Sequence, residues 1–234
     1  MPSGTNSCAV HTSMNLWADF LTNDGRAIHK WQHYFPVYER HFARFVYRPA
    51  VFWEIGCGAG GSLQMWKRYL GPHAQIIGLD IQPDCASFAE DQIAVRIGDQ
   101  SDTKFLDGVL EEFGAPDVVL DDGSHQMTDV IQAFRHLYPE LDRNGVYMVE
   151  DLHTAYWPGF GGGLLREGTF IELCKGLVDE LNGAHFDGVS EFTRSTLSMH
   201  FYDSIVVFER GRHGNRKAIR CPPRKAAPKA SMDR

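Results

Sequence analysis

The residues best suited by type and spacing to do chemistry are acids that end apolar runs. In "VVLDDGSHQ" (118–126) a series of β-formers stops on Asp121 and Asp122, and His125 follows three residues after the second acid. In "GVYMVED" (145–151) another apolar run stops on Glu150 and Asp151, with His153 just beyond. Unpaired charge at the end of a buried segment is expensive, and carboxylates crowded together raise one another's pKa. If the two runs are neighbouring parallel strands, four carboxylates share one small volume. A hard divalent cation taking oxygen ligands, Mg²⁺, Ca²⁺ or Mn²⁺, would meet that charge. Zinc fits less well, because no cysteine and only one or two histidines lie close by. The alternative is that some of these acids are solvated at a cleft mouth or bind a substrate or cofactor amine.

His125 falls where "QMTDVIQAFRHLY" predicts the first turn of a helix. The helix N-terminus disfavours imidazolium and the nearby carboxylates favour it, which leaves a group suited to proton exchange near neutral pH. Capping or simple surface exposure is the competing role for a lone histidine.

A third constellation precedes these. "FWEIGCGAGGS" (52–62) places Gly56, Gly58, Gly60 and Gly61 between a strand and a helix, where glycine lets backbone approach a ligand and the helix start offers free N–H groups. The spacing satisfies both GxGxxG and, with Glu54, ExGxGxG, so by itself it does not choose between NAD and S-adenosylmethionine. Asp80 ends the next strand about 20 residues on, the place for an acid that accepts from ribose hydroxyls. "IGDQSD" (97–102) puts Asp99 and Gln100 where an adenine edge would be read. Glu54 tips the choice, since a carboxylate under the loop suits the cationic amino end of S-adenosylmethionine and repels a pyrophosphate.

These motifs need a frame. From Val51 onward short apolar strands alternate with amphipathic stretches, which predicts a βαβ series. The fold class is α/β: a Rossmann-like, doubly wound, seven-stranded sheet, mostly parallel with an antiparallel C-terminal strand, since "TLSMHFYDSIVVFER" reads as two strands about a tight turn. Ligands of such sheets sit beyond the C-terminal strand ends, where all three constellations fall. The expected organisation is a helical, aromatic-rich region at 1–48 packing on a core domain at 49–210. A basic tail at 211–234 reads as a disordered extension.

Composition is that of a soluble globular protein: 234 residues, 43% apolar and 23% charged. The net charge of −7 divides into +7 over 211–234 and −14 before it. Such a tail could touch nucleic acid or anionic lipid, although a solvated terminus is the commoner case. No window suits a membrane helix, and the N-terminus lacks a signal-peptide pattern, so a cytoplasmic address is expected. The five cysteines are scattered without a CxxC pair, as for reduced thiols.

Taken together, the glycine loop, Asp80, "GDQSD", "DDGSH", "VEDLHTAYW" and "HFYDSIVVFE" resemble the class I S-adenosylmethionine-dependent methyltransferases. More narrowly they resemble the metal-dependent sugar O-methyltransferases of macrolide and deoxysugar biosynthesis. The likeness runs from about residue 24 to 210 and leaves no room for the extra N-terminal domain of the larger members. It implies Asp122, Glu150 and Asp151 as Mg²⁺ ligands, His125 as the base with Asp122 beside it, and Asp121 in a supporting role at the cofactor. It also implies Lys30, His33 and Tyr34 as residues lining the cofactor pocket. His153, Tyr156 and Trp157 are weaker candidates for substrate contact, with Gly161, Gly162 and Gly163 as a hinge. The expected reaction is methylation of a sugar hydroxyl of a small-molecule glycoside, without membrane or nucleic-acid partners and with a homo-oligomer allowed. The rivals are methylation of a catechol or other vicinal diol, an NAD-dependent oxidoreductase, and an inactive cofactor-binding module.

Overall fold

The computed structural model describes residues 15–214 and 216–221. Of the basic extension expected at 211–234, residue 215 and residues 222–234 lie outside the described residues. Seven strands form one sheet: β1 (Val51–Ile55), β2 (Gln75–Asp80), β3 (Ile93–Ile97), β4 (Val118–Asp121), β5 (Val146–Val149), β6 (Thr196–Tyr202) and β7 (Ile205–Arg210). They lie in the order β3-β2-β1-β4-β5-β7-β6. All pairs are parallel except those made by β7, which runs against both β5 and β6.

The sheet is buried on both faces, which is why its central strands read as unbroken apolar runs. Side-chain alternation divides each strand between two cores. Phe52, Val118, Leu120, Val146 and Met148 face one core, and Trp53, Val119, Tyr147 and Val149 face the other. The first core is closed by α1 (Leu16–Leu21), α2 (Phe35–Phe42) and α3 (Gly61–Leu70). Here Tyr38, Phe42 and Phe52 surround Trp66, with ring centroids 5.1–5.7 Å from it. Each such ring taken from water stabilises by roughly 1.5–3 kcal/mol, so the aromatic N-terminal segment is anchored by packing. The second core is closed by α4 (Thr103–Phe113), α5 (Met127–Leu137) and α6 (Phe170–Leu181). The short α7 (Glu191–Ser195) starts on a capping box between Ser190 and Thr193. Among the described residues no helix is long and apolar enough to cross a membrane.

Two details bear on the strand ends. Ile55 pairs with Asp121 and Asp121 with Val149, and the pairing runs one residue further: Asp122 N donates to Ile55 O and Glu150 N to Asp121 O, both at 2.9 Å. The two acid pairs are therefore side by side, as the sequence pattern required. Second, α2 is pinned to the sheet by polar contacts. His41 Nδ1 and Glu209 Oε1 lie 2.7 Å apart, His41 Nε2 and the Tyr202 hydroxyl 2.9 Å, and Arg44 donates to Glu209 Oε2 at 3.0 Å.

The His41 hydrogen bond and then Arg44 outweigh burial and hold the Glu209 carboxyl down at about 2. Its folded pKa lies below the unfolded value of about 4.3, so its contribution is complete above about pH 5 and is lost as pH falls through the folded value. Glu209→Gln is expected to lower the melting temperature by about 2–4 °C near neutrality. In thermal scans across pH, the gap to the parent should close as pH approaches 2.

Candidate functional site

The loop after β1 is shaped by contacts only glycine permits. Gly56 has φ +82°, and a Cβ there would lie 2.1 Å from the Asp122 carbonyl oxygen, so the loop rests on the end of β4. Gly58 has φ +48° and nothing within 4 Å of a built Cβ, leaving its backbone open to a ligand. Its N–H donates to Asp80 Oδ2 at 3.0 Å, and Gln82 N donates to Oδ1 at 2.9 Å, which fixes the acid at the loop's edge. Gly60, at φ +75°, precedes α3 with Phe88 packed against it. Gly56, Gly58, Asp80, Asp99 and Gln100 all line one cavity of about 390 Å³. Open backbone, a strand-end acid and this volume suit a nucleoside-sized cofactor.

Alternation also separates the two acids of β4. Asp121 follows Val119 onto the second core face, where it is buried against the Tyr147 hydroxyl (3.1 Å to Oδ2) and Gln100 Nε2 (3.2 Å to Oδ1). Burial pushes its carboxyl up to about 7, although Tyr147, the Gly123 N–H and Gln100 partly compensate. Gln100 is correspondingly a clamp: its Oε1 accepts from Ser124 N at 2.6 Å, and a Cβ on Gly123 would stand 2.0 Å from it. Asp122 emerges on the opposite face and into the cavity.

His125 departs from the sequence expectation. It is not in a first helical turn: α5 begins at Met127 with Gln126 as N-cap, and His125 precedes both with φ +56°. Ser124 is the cause, its hydroxyl donating to Asp129 and accepting from Gln126 N, which starts the helix later. The turn delivers the imidazole to the cavity, with Nε2 3.9 Å from both Asp122 Oδ1 and Asp151 Oδ2.

Behind the cavity lies a buried nest of charge. Glu54, Asp122 and Glu150 share one sheet face, and Lys30 reaches all three. Its Nζ is 2.6 Å from Asp122 Oδ2, 2.9 Å from Glu150 Oε2 and 3.4 Å from Glu54 Oε1. Burial alone would pull the ammonium down, but Asp122, Glu150 and Glu54 hold it well above the usual lysine range. Glu54 and Glu150 nevertheless move upward, chiefly through burial and despite Lys30, with Asp122 adding to the rise in both. A balanced ion pair would draw both partners toward charge. One ammonium does not neutralise these carboxylates, and Glu150 Oε1 is buried with the Tyr38 hydroxyl close by but without a hydrogen bond of normal geometry.

That deficit is the test of fit for a divalent cation, and the residues pass it. Asp122 and Asp151 each offer a carboxylate oxygen to the cavity, within 4.8 Å of each other and of a His125 ring nitrogen. Asp151 reaches this position by breaking the strand at φ +52°, while the Tyr34 hydroxyl donates to its Oδ1 at 2.6 Å. Of the six described non-glycine residues with left-handed backbone, His125 and Asp151 belong to this cluster. Glu150, also expected as a ligand, faces Lys30.

Five expected cofactor residues lie outside the cavity lining: Gly60 and Asp121 as placed above, Lys30 in the acid nest, Tyr34 on Asp151, and His33 stacked edge-on against Tyr34 with ring centroids 4.6 Å apart. Glu54 is also behind the wall, bonded to Ser62 Oγ at 2.7 Å. His29, Ser124 and Asp129 line the cavity without having been singled out. Only Ser124 left a signal, as a hydroxyl two residues before a helix cap. His153 contacts Ser204 in the β6–β7 turn (Nδ1 to Oγ, 2.6 Å) and lies beside Trp157, which is half exposed, as is Tyr156. The glycine run is closely held: Gly162 N donates to Trp157 O and Gly163 N to Ala155 O. Cys57 and Cys85, apart in sequence, meet beside Asp80. A larger cleft of about 710 Å³ opens at the far end of the strands, among Arg143, Arg194 and Arg210.

No protein-family model matches the chain. It is 38% identical over 198 residues to the 8-demethyl-8-(2-methoxy-alpha-L-rhamnosyl)-tetracenomycin-C 3'-O-methyltransferase of Streptomyces olivaceus, covering 78% of this chain and 50% of that enzyme. It is 38% identical over 199 residues to the mycinamicin VI 2''-O-methyltransferase of Micromonospora griseorubida, covering 77% and 49%. It superposes on MycE, a methyltransferase of the mycinamycin biosynthetic pathway solved with Mg, SAH and mycinamycin VI. That match has a TM-score of 0.76 and 33% identity over 90% of this chain and 56% of the other. The chain spans about half the length of the curated relatives it matches. By sequence and by fold, the chain is related to these sugar O-methyltransferases and shares with them a Rossmann-like domain that makes up about half of each.

Proposed function

We propose that the chain carries an S-adenosylmethionine- and Mg²⁺-dependent O-methyltransferase activity toward a sugar hydroxyl of a glycosylated small molecule. The observation that carries this reading is that Asp122, His125 and Asp151 open into the same cavity as Gly56, Gly58 and Asp80. A cofactor seat and a cation-ready base thus share one space. The relatives' names, and the Mg and SAH of the superposed enzyme, support it. The reading assigns the catalytic domain to 49–210 and the aromatic helices of 1–48 to its support. It includes a cytoplasmic address, in keeping with four free cysteines among the described residues.

S-adenosylmethionine, when bound, supplies a sulfonium methyl open to in-line attack. A divalent ion, held by Asp122 and Asp151 with Glu150 within reach, would acidify and orient the acceptor hydroxyl. His125 accepts the hydroxyl proton at Nε2, which stands 3.9 Å from Asp122 Oδ1 and from Asp151 Oδ2. Asp80 and the Gly58 backbone orient the nucleoside, and Gln100 keeps the Gly123–Ser124 turn in place beneath it. Trp157 and Tyr156 offer flat apolar surface to a sugar ring beside His153. Most of the acceleration then comes from holding two reactants in line.

His125→Ala is expected to lower kcat by about 10²–10⁴, with S-adenosylmethionine affinity by calorimetry within about threefold of the parent. Mn²⁺ affinity should also be kept; its loss would make His125 a ligand instead of the base, and a near-normal rate would remove it from both roles. Asp122→Asn should lose Mn²⁺ binding and turnover together, and EDTA should abolish methyl transfer to a glycoside panel followed by mass spectrometry. Calorimetric binding of NAD in place of S-adenosylmethionine would overturn the whole reading.

A further inference from the structure

Lys30 stands where a metal ion would be wanted. Its side chain is only 3% exposed, and its ammonium takes one oxygen each of Asp122 and Glu150. Those are two of the carboxylates that the proposed function gives to the divalent cation. Asp122 is shared, Oδ2 turned to Lys30 and Oδ1 toward His125. Glu150 is turned inward, its Oε2 on Lys30 and its Oε1 buried beside the Tyr38 hydroxyl. Asp151 is held by Tyr34 and faces His125.

The chain on either side of Lys30 is anchored. Upstream, the carbonyls of Arg26 and Ala27 stand 2.3 Å from where a Cβ of Gly61 would be, and Arg26 Nη1 donates to Phe88 O at 3.0 Å. Downstream, Tyr34 is tied to Asp151. Between these anchors sits a flexible four-carbon stem with a point charge at its tip, able to withdraw without unfolding its segment.

We propose that Lys30 is a tethered competitor cation, which occupies Asp122 and Glu150 in the metal-free protein and must be displaced for a divalent ion to recruit both. The inference rests on the reading of this site as a divalent-cation site. It accounts for how several buried carboxylates persist before metal arrives, since an ammonium offsets part of their repulsion. It also makes metal binding weaker than the bare acids would give, because the ion has to overcome a unit charge already in place.

Two measurements test it. In Mn²⁺ titrations followed by electron paramagnetic resonance, Lys30→Met should bind the ion about tenfold or more tightly than the parent. Without metal, the same variant should melt at lower temperature than the parent, and Mg²⁺ should raise its melting temperature by more. In the unaltered protein, the ¹⁵N–¹H signal of the buried Lys30 ammonium should be visible without metal and vanish at saturating Mg²⁺. Equal or weaker Mn²⁺ affinity in Lys30→Met, or an ammonium signal that survives saturation, would overturn the competition and leave the metal site standing. Absence of Mn²⁺ binding in both proteins would overturn the two readings together. Should Lys30→Met not fold even with metal, the ammonium signal of the parent decides.

Discussion

Glu54, Asp122 and Glu150 lie on one face of three adjacent strands, and their charge must be met if those strand ends are to stay in the fold. Everything around them answers to that constraint. Lys30 is drawn out of the N-terminal segment into their midst. Glu54 and Glu150 still shift upward, because burial costs each more than one shared ammonium returns. The aromatic cluster of Tyr38, Phe42 and Trp66 keeps the N-terminal helices seated on this face. Without that packing Lys30 would have no fixed base from which to reach the acids.

The strained turns follow from the same need. A strand delivers side chains alternately to two faces, so it cannot aim consecutive residues at one cavity. His125 and Asp151 escape this by adopting left-handed backbone, which brings them to within 3.9 Å of each other beside Asp122. The cost of each such residue, about 1–3 kcal/mol, is met by local clamps. Gln100 holds the first turn through Ser124, and Ser204 holds the second by accepting from His153 N while its carbonyl accepts from Leu152 N. Asp121, sent to the opposite face, becomes a buried partner for Tyr147. Two adjacent and chemically identical side chains thus acquire different work from a two-residue period.

Kinship with sugar O-methyltransferases about twice as long bears on where specificity resides. The match takes in more than three-quarters of this chain but only about half of each relative, so it does not extend to what the rest of those enzymes contributes. Fold alone would not assign chemistry to such a domain, since Rossmann-like sheets host many activities. The assignment lies in the side chains at the strand ends.

The periodicity from Val51 to Arg210 was enough to determine the strand series, the sheet class and the adjacency of the two acid pairs. These depend on local hydrophobic pattern and the short reach of βαβ connections. The glycine loop with Asp80 was legible for a similar reason, because its geometry is set by residues close in sequence. The placement of Lys30, 92 and 120 residues from the acids it touches, was not. Nor was the late start of α5, which turns on the competition of the Ser124 hydroxyl for backbone, or the meeting of Cys57 with Cys85. Sequence pattern says which face a residue occupies. Which charge it meets there depends on contacts between distant segments, and only the tertiary structure decides those.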